Sequence, residues 1–210
     1  MSRTILVTFS GLDGAGKTTL IRDLASELRS SGHRVRILTM YDDVSLYSYL
    51  RSLHDRVRGR ARRAGTTDAG AAGSGPLYSL VRGAPVRRLA YAGDLLSLTV
   101  RRLYHQRLRG EILILDRYLY DTLADAAARG WPSLSTLLRL TPRPDVPILV
   151  DVEPADAFAR KGEYDVPYLT ERRATYRRLF ARIDGALVVR NDDRESASRA
   201  VRDAVAERLR

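Results

Sequence analysis

The chain has 210 residues, enough for one domain or two and for a buried core that needs no disulfides or metals. Cysteine is absent, which excludes disulfides, thiolate zinc sites and cysteine nucleophiles, and three scattered histidines (His33, His54, His105) argue against a histidine metal centre. The 36 basic and 25 acidic residues give a net charge of +11. Only Lys17 and Lys161 are lysines, so the excess reads as a coding bias toward arginine rather than selection for a polyanion. Nucleic acid is therefore kept as a partner that is not favoured. No run approaches the ~18 apolar residues of a membrane span. Ile5–Phe9 is too short for the apolar region of a signal peptide, so the cytoplasm is the expected location.

In chain order, Thr4–Phe9 is a short apolar, β-rich run that predicts a buried strand. The glycine-rich stretch from Gly11 follows. Leu20, Leu24 and Leu28 then recur at helical spacing as far as Ser30, with Gly32 as a stop. Arg34–Met40 predicts a second strand, which completes a βαβ unit. Leu46–Arg63 starts as a helical pattern and turns into an arginine cluster at Arg51, Arg56, Arg58, Arg60, Arg62 and Arg63. Ala64–Pro76 has no large apolar side chain and predicts a flexible loop, within an Arg/Gly/Ala-rich region at about residues 56–84.

Pro85–Arg109 predicts a long helix ended by Gly110, and Ile112–Leu115 a fully apolar strand that runs into Asp116. Helices are expected over Leu119–Arg129 and Leu134–Leu140, a strand over Ile148–Val152, and helices over Pro154–Lys161 and Leu169–Ile183. A last strand is expected over Ala186–Val189, followed by a helix carrying Ala197, Val201, Val205 and Leu209. Strands that are apolar throughout, alternating with helices, predict an α/β fold with a parallel sheet covered on both faces. The whole chain, residues 1–210, is expected to form a single domain.

Gly11-Leu12-Asp13-Gly14-Ala15-Gly16-Lys17-Thr18 is a full G-x-x-x-x-G-K-S/T phosphate-binding loop, placed between a strand and a helix as the motif requires. Its glycines let backbone N–H groups wrap the phosphates of ATP. The helix N-terminus adds partial positive charge, Lys17 meets the β- and γ-phosphates, and the Thr18 hydroxyl is a Mg²⁺ ligand. Asp13 inside this loop would repel a nucleotide unless it points away, toward a phosphoryl acceptor whose hydroxyl it could bind; otherwise it is a solvated loop acid. Asp116-Arg117-Tyr118 stands at the carboxyl end of a strand, where ligands of parallel sheets gather. There Asp116 could hold Mg²⁺-bound water or accept a proton, and Arg117 could meet the reacting phosphate; the bland alternative is a helix cap. Arg160 and Lys161 could close over ATP as a lid near residues 158–170, or simply complement a helix dipole.

FSGLDGAGKTTL, ILILDRY and RPDVPILVDVEPADAFARKGE resemble the thymidylate kinase family of nucleoside monophosphate kinases, over nearly the whole chain except about Arg56 to Ala84. The resemblance implies a P-loop NTPase three-layer sandwich with a five-stranded parallel sheet and a mobile lid. It also implies ATP with Mg²⁺ as phosphoryl donor, a small-molecule monophosphate such as dTMP as acceptor, and a homodimer. By residue, it implies a phosphate loop over Gly11, Gly14, Ala15, Gly16, Lys17, Thr18 and Thr19. It makes Asp13 the acid that contacts the acceptor sugar, and Asp116 and Arg117 the Asp-Arg pair. Tyr91 becomes the base-stacking aromatic. Gly14 stands where some members carry a catalytic arginine, and those with a small residue there take their cations from the lid, as Arg160 and Lys161 would supply.

The departures fall on the acceptor side. An arginine that holds the acceptor phosphate reads Met40, and another, after Asp94, reads Leu95. The DRYxxS pattern reads DRYxxDxxxD, which makes Asp121 a substrate-binding candidate with Asp125 close behind. Lost cations together with added carboxylates (Asp42, Asp43, Asp121) predict a poor site for dTMP. They would suit an acceptor that offers hydroxyls or an amine to Asp13, Asp121 and Asp125. A sugar or natural-product kinase thus stands beside the nucleotide kinase reading, and a nucleic-acid-associated ATPase is the more distant alternative.

Overall fold

The computed structural model describes residues 4–40, 84–128 and 134–210. The expected loop at 56–84, its arginine cluster, and Asp42 and Asp43 lie outside the described residues, apart from Ala84 at the start of a helix. The chain, expected as one domain, divides into two compact units: Met1–Met40 with Arg101–Arg210, and Tyr41–Val100.

The first unit is built on five parallel strands, β1 (Leu6–Gly11), β2 (Val35–Thr39), β3 (Ile112–Asp116), β4 (Val146–Asp151) and β5 (Leu187–Arg190), in the order β2-β3-β1-β4-β5. Every residue of β1 and β4 is buried, as their uninterrupted apolar sequences predict for central strands.

Helix α1 (Lys17–Ser30) buries Leu20, Ile21, Leu24, Ala25 and Leu28, a single stripe at helical spacing. The helix spanning Ala84–Arg102, α2, continues into a π-helical turn over Leu103–Leu108. Next come α3 (Leu119–Ala128), α4 (Leu134–Leu140), α5 (Pro154–Lys161), α6 (Val166–Phe180) and α7 (Arg194–Leu209). Helices α1 and α7 pack on each other and on the sheet, while α3 and α6 do the same as a separate pair, which gives the three layers of the expected α/β sandwich.

Two elements differ instructively from the sequence expectation. The long helix predicted to Arg109 keeps its α-helical form only to Arg102. The helix expected from Leu169 begins at Val166, because the Asp165 side chain caps it by accepting from Tyr168 N at 3.0 Å. That start shortens the segment between α5 and α6 to Gly162–Asp165. Gly162, at a φ of 64°, ends α5 in the left-handed conformation. Arg173 of α6 reaches back to the end of β4 and donates to Asp151 Oδ1 and Oδ2 at 2.7 and 2.9 Å, a two-pronged bond that ties helix to strand.

Candidate active site

The register places the chemistry at the carboxyl ends of the three central strands. Phe9 pairs with Asp116 and Gly11 with Val150, so the phosphate loop leaves β1 between the ends of β3 and β4. Three glycines shape the loop. Gly11, Gly14 and Gly16 have φ of 141°, 85° and 88°. A Cβ on Gly11 would lie 2.4 Å from Val150 O, and one on Gly14 would lie 2.5 Å from Ala157 O. No side chain fits at either point, so the loop is pressed directly onto β4 and onto the backbone of α5. Gly16 caps α1 without any side-chain hydrogen bond. The turn is closed by Ala15 N donating to Leu12 O and Thr19 N to Gly16 O.

Lys17 is buried, and its Nζ donates to Leu12 O at 2.7 Å and Gly11 O at 3.0 Å. Burial, with repulsion from Arg117, lowers its pKa from 10.5 to about 8 against the pull of Asp121, Asp13 and Asp116. Bound phosphates favour the charged form. ATP binding near pH 8.5 is therefore expected to take up a proton, with affinity falling as pH rises through about 8. Calorimetry in two buffers of different ionisation enthalpy reads this uptake, and identical heats in both would contradict it.

Thr18 Oγ1 donates to Asp116 Oδ2 at 3.3 Å. Two oxygens from different segments thus stand side by side at the mouth of the loop. This donor set fits Mg²⁺ held chiefly by phosphates and water. Among the described residues no group of three or more His, Asp or Glu could hold a metal unaided.

Asp13 points away from the loop amides. It pairs with Arg117 Nη2 and accepts from Lys161 Nζ at 3.4 Å. Burial opposes its ionisation, but Arg117, Lys17 and Lys161 together hold its carboxyl below the usual range. Arg160 Nη1 lies 3.5 Å from Gly14 O, and Lys161 also bonds Glu163 at 2.8 Å. The two cations of α5 therefore reach the phosphate loop, Arg160 at Gly14 and Lys161 at Asp13. Arg117 adopts a left-handed φ of 69°, with its N–H donating to Phe9 O at 2.9 Å. An uncommon conformation for a residue with a side chain is fixed there by the end of β1.

Two acceptor-side expectations change. Asp121 is fully buried and meets Ser10, Tyr118 N and Tyr176, and among the site cations it faces Arg117 and acts on the charge of Lys17. Asp125 pairs with Arg172 of α6. Neither offers an uncompensated carboxylate to an acceptor, which removes part of the reason to expect poor dTMP binding. Met40 is buried too and presents no polar group. Tyr91 is buried in the second unit and is described only there.

Asn191, directly after β5, is a site residue that sequence reasoning missed. Its Nδ2 donates to Ala15 O at 2.7 Å and supports the loop from beneath. Its Oδ1 has no hydrogen-bond partner among the described residues. The only signal in the sequence was a polar residue at the end of an apolar strand.

No family model matches the chain. It is 31% identical to the thymidylate kinase of Xanthomonas euvesicatoria pv. vesicatoria over 186 residues, covering 86% of this chain and 72% of that protein. It is 32% identical to the thymidylate kinase of Xanthomonas campestris pv. campestris over 175 residues, covering 78% of this chain and 63% of that protein. With the enzyme of the same name from Xanthomonas oryzae pv. oryzae the identity is 33% over 167 residues, again with 78% and 63% coverage. The phosphate loop on β1, the Asp-Arg pair on β3 and this shared sequence converge: the chain belongs to the thymidylate kinase family of ATP-dependent kinases.

Proposed function

We propose that the protein transfers the γ-phosphoryl group of ATP to a nucleoside monophosphate, dTMP or a close relative, in a site that also uses Mg²⁺. The observation that carries this reading is the Asp13–Arg117–Lys161 cluster beside the phosphate loop. A switch ATPase needs no such group, because it has no acceptor to orient.

In this reading the amides from Gly11 to Thr19 and the Lys17 ammonium hold the β- and γ-phosphates of ATP. Thr18 and Asp116 hold Mg²⁺, which neutralises charge on those phosphates when bound. Lys17 exchanges its two loop carbonyls for phosphate oxygens, and bound phosphate restores the proton that burial weakens. Arg117 gives up Asp13 to meet the reacting phosphate, and Arg160 and Lys161 add positive charge from the α5 side. Asp13, once released, accepts a hydrogen bond from a hydroxyl of the acceptor. The family resemblance gives Tyr91 the part of the aromatic that stacks on the acceptor base.

The close packing of Gly14 on Ala157 supports the lid assignment: α5 touches the loop, so its terminal cations need little movement to reach a phosphate. Exposed Leu103, Tyr104 and Leu108 on the π-helical turn support a homodimer. Among the described residues no helix is long and apolar enough to cross a membrane, which fits a cytoplasmic enzyme acting on a soluble acceptor.

A bisubstrate ligand, adenosine and thymidine joined through five phosphates, tests whether donor and acceptor share one site. Its dissociation constant is expected to be at least about 10²-fold below that of ATP. An affinity no better than that of ATP would speak for a nucleotide site without an acceptor site.

A further inference from the structure

Asp121 gathers four groups from three segments of the chain, and it divides them between its two oxygens. Oδ2 accepts from Ser10 Oγ at 2.6 Å and from Tyr118 N at 2.9 Å. These bonds fasten the end of β1 and the start of α3. Oδ1 accepts from the Tyr176 hydroxyl at 2.7 Å and lies 3.6 Å from Arg117 Nη1. A helix cap needs only the first oxygen, so the second, held by the Tyr176 hydroxyl, is left to face Arg117.

The Arg117 guanidinium is correspondingly split. Nη1 faces the buried Asp121, which cannot leave, and Nη2 faces Asp13 on the loop. We infer that Asp121 is the positioning residue for Arg117, with Tyr176 and Ser10 fixing the orientation of its carboxylate. This deepens the kinase reading and rests on it. When Asp13 turns to the acceptor, Asp121 keeps the guanidinium from swinging with it, so Nη2 stays aimed at the reacting phosphate.

Tyr176 suits this part. Burial, with the Asp121 charge beside it, pushes its hydroxyl well above the ordinary tyrosine value, so it remains a donor. Its ring lies under the Arg172 guanidinium, 5.3 Å from the ring centroid, and Arg172 is itself paired with Asp125 of α3. Tyr176 and Arg172 both belong to α6, the helix that directly follows the Gly162–Asp165 segment after the lid cations. The chain Arg172–Tyr176–Asp121–Arg117 thus joins the lid side of the site to the Asp-Arg pair.

The test is a double-mutant cycle on the full chain, with stability followed in parallel. Asp121→Asn is expected to lower kcat by about 10²-fold while the KM for ATP stays within about threefold. Tyr176→Phe is expected to lower kcat by about tenfold with little change in melting temperature. In an Arg117→Ala background, Asp121→Asn should give no further fall in kcat. There it should raise the melting temperature, because Arg117→Ala leaves a buried carboxylate short of its cation. An equal loss of kcat in both backgrounds, or a loss of stability alone, would overturn the proposal.

A second readout needs no acceptor. In the wild type, ¹⁵N NMR should show slowly rotating Arg117 guanidinium nitrogens, identified by their disappearance in Arg117→Lys. These signals should collapse in Asp121→Asn. Their persistence in that variant, or their absence from the wild type, overturns the positioning role. Lack of turnover with every acceptor would instead overturn the kinase reading and leave the NMR result standing.

Discussion

Lys17→Ala should abolish phosphoryl transfer while the protein stays folded. The ammonium is the buried cation nearest the loop carbonyls, bonded to Leu12 O and Gly11 O. Removing one preorganised donor from a phosphate or oxyanion site typically costs a factor of about 10²–10³ in rate, and Lys17 carries a full charge besides. Stability should move the other way. A lysine whose pKa falls from 10.5 to about 8 on folding makes the native state bind fewer protons than the unfolded chain across that interval. Its charge therefore destabilises the fold below about pH 8, and that penalty fades as pH rises toward 10.5. Lys17→Ala should consequently melt no lower than the wild type at pH 7 and should lose the part of the pH dependence that lies between those limits. Turnover near the wild-type rate would contradict the assigned role, and a large fall in melting temperature would show that the loop needs the lysine to fold.

Gly11→Ala should be the most destabilising small substitution in the loop. At a φ of 141° an alanine is strained whatever the surrounding space, and here its Cβ would lie 2.4 Å from Val150 O. The atom it meets is backbone near the carboxyl end of β4, which cannot rotate aside as a side chain would. Relief requires β1 and β4 to part at the point where their register fixes the loop. A loss of about 3 kcal/mol or more is expected, or about 10 °C in melting temperature for a chain of this size, together with weakened ATP binding. Gly16→Ala offers the contrast. Its Cβ would meet only the end of the Asn191 side chain, at 2.3 Å, so it should cost less stability while still disturbing the support under Ala15.

These effects trace back to features that differ in how far the sequence reveals them. The phosphate loop is legible because its chemistry demands fixed residues at fixed spacing within one short stretch. Asp116 and Arg117 are legible because an apolar strand announces its own carboxyl end. Asp13 is legible as a misfit, an acid among amides that bind anions, and the structure resolves the misfit by turning it toward Arg117.

The partners of Asp121 were not legible for a physical reason. Sequence places it one helical turn beyond Arg117, near the site, but says nothing of Tyr176, 55 positions further along, which occupies its other oxygen. The start of α6 was missed because a capping aspartate followed by valine and proline breaks the apolar period just where the helix begins. Asn191 was missed because a lone polar residue after a strand carries no period at all. In each case the deciding partner lies on another element, where composition and spacing do not reach.

The central claim, ATP-dependent phosphoryl transfer to a nucleoside monophosphate, is tested most directly by ³¹P NMR of the purified protein with ATP and Mg²⁺. Nucleoside monophosphates, with dTMP first, are supplied in turn, and nucleosides and sugars in parallel. The account predicts that at least one monophosphate gives the β-phosphate signal of a new nucleoside diphosphate, formed faster than ATP is hydrolysed and absent with Lys17→Ala. Consumption of ATP to ADP and free phosphate with every monophosphate, or product from a sugar or nucleoside alone, would contradict it.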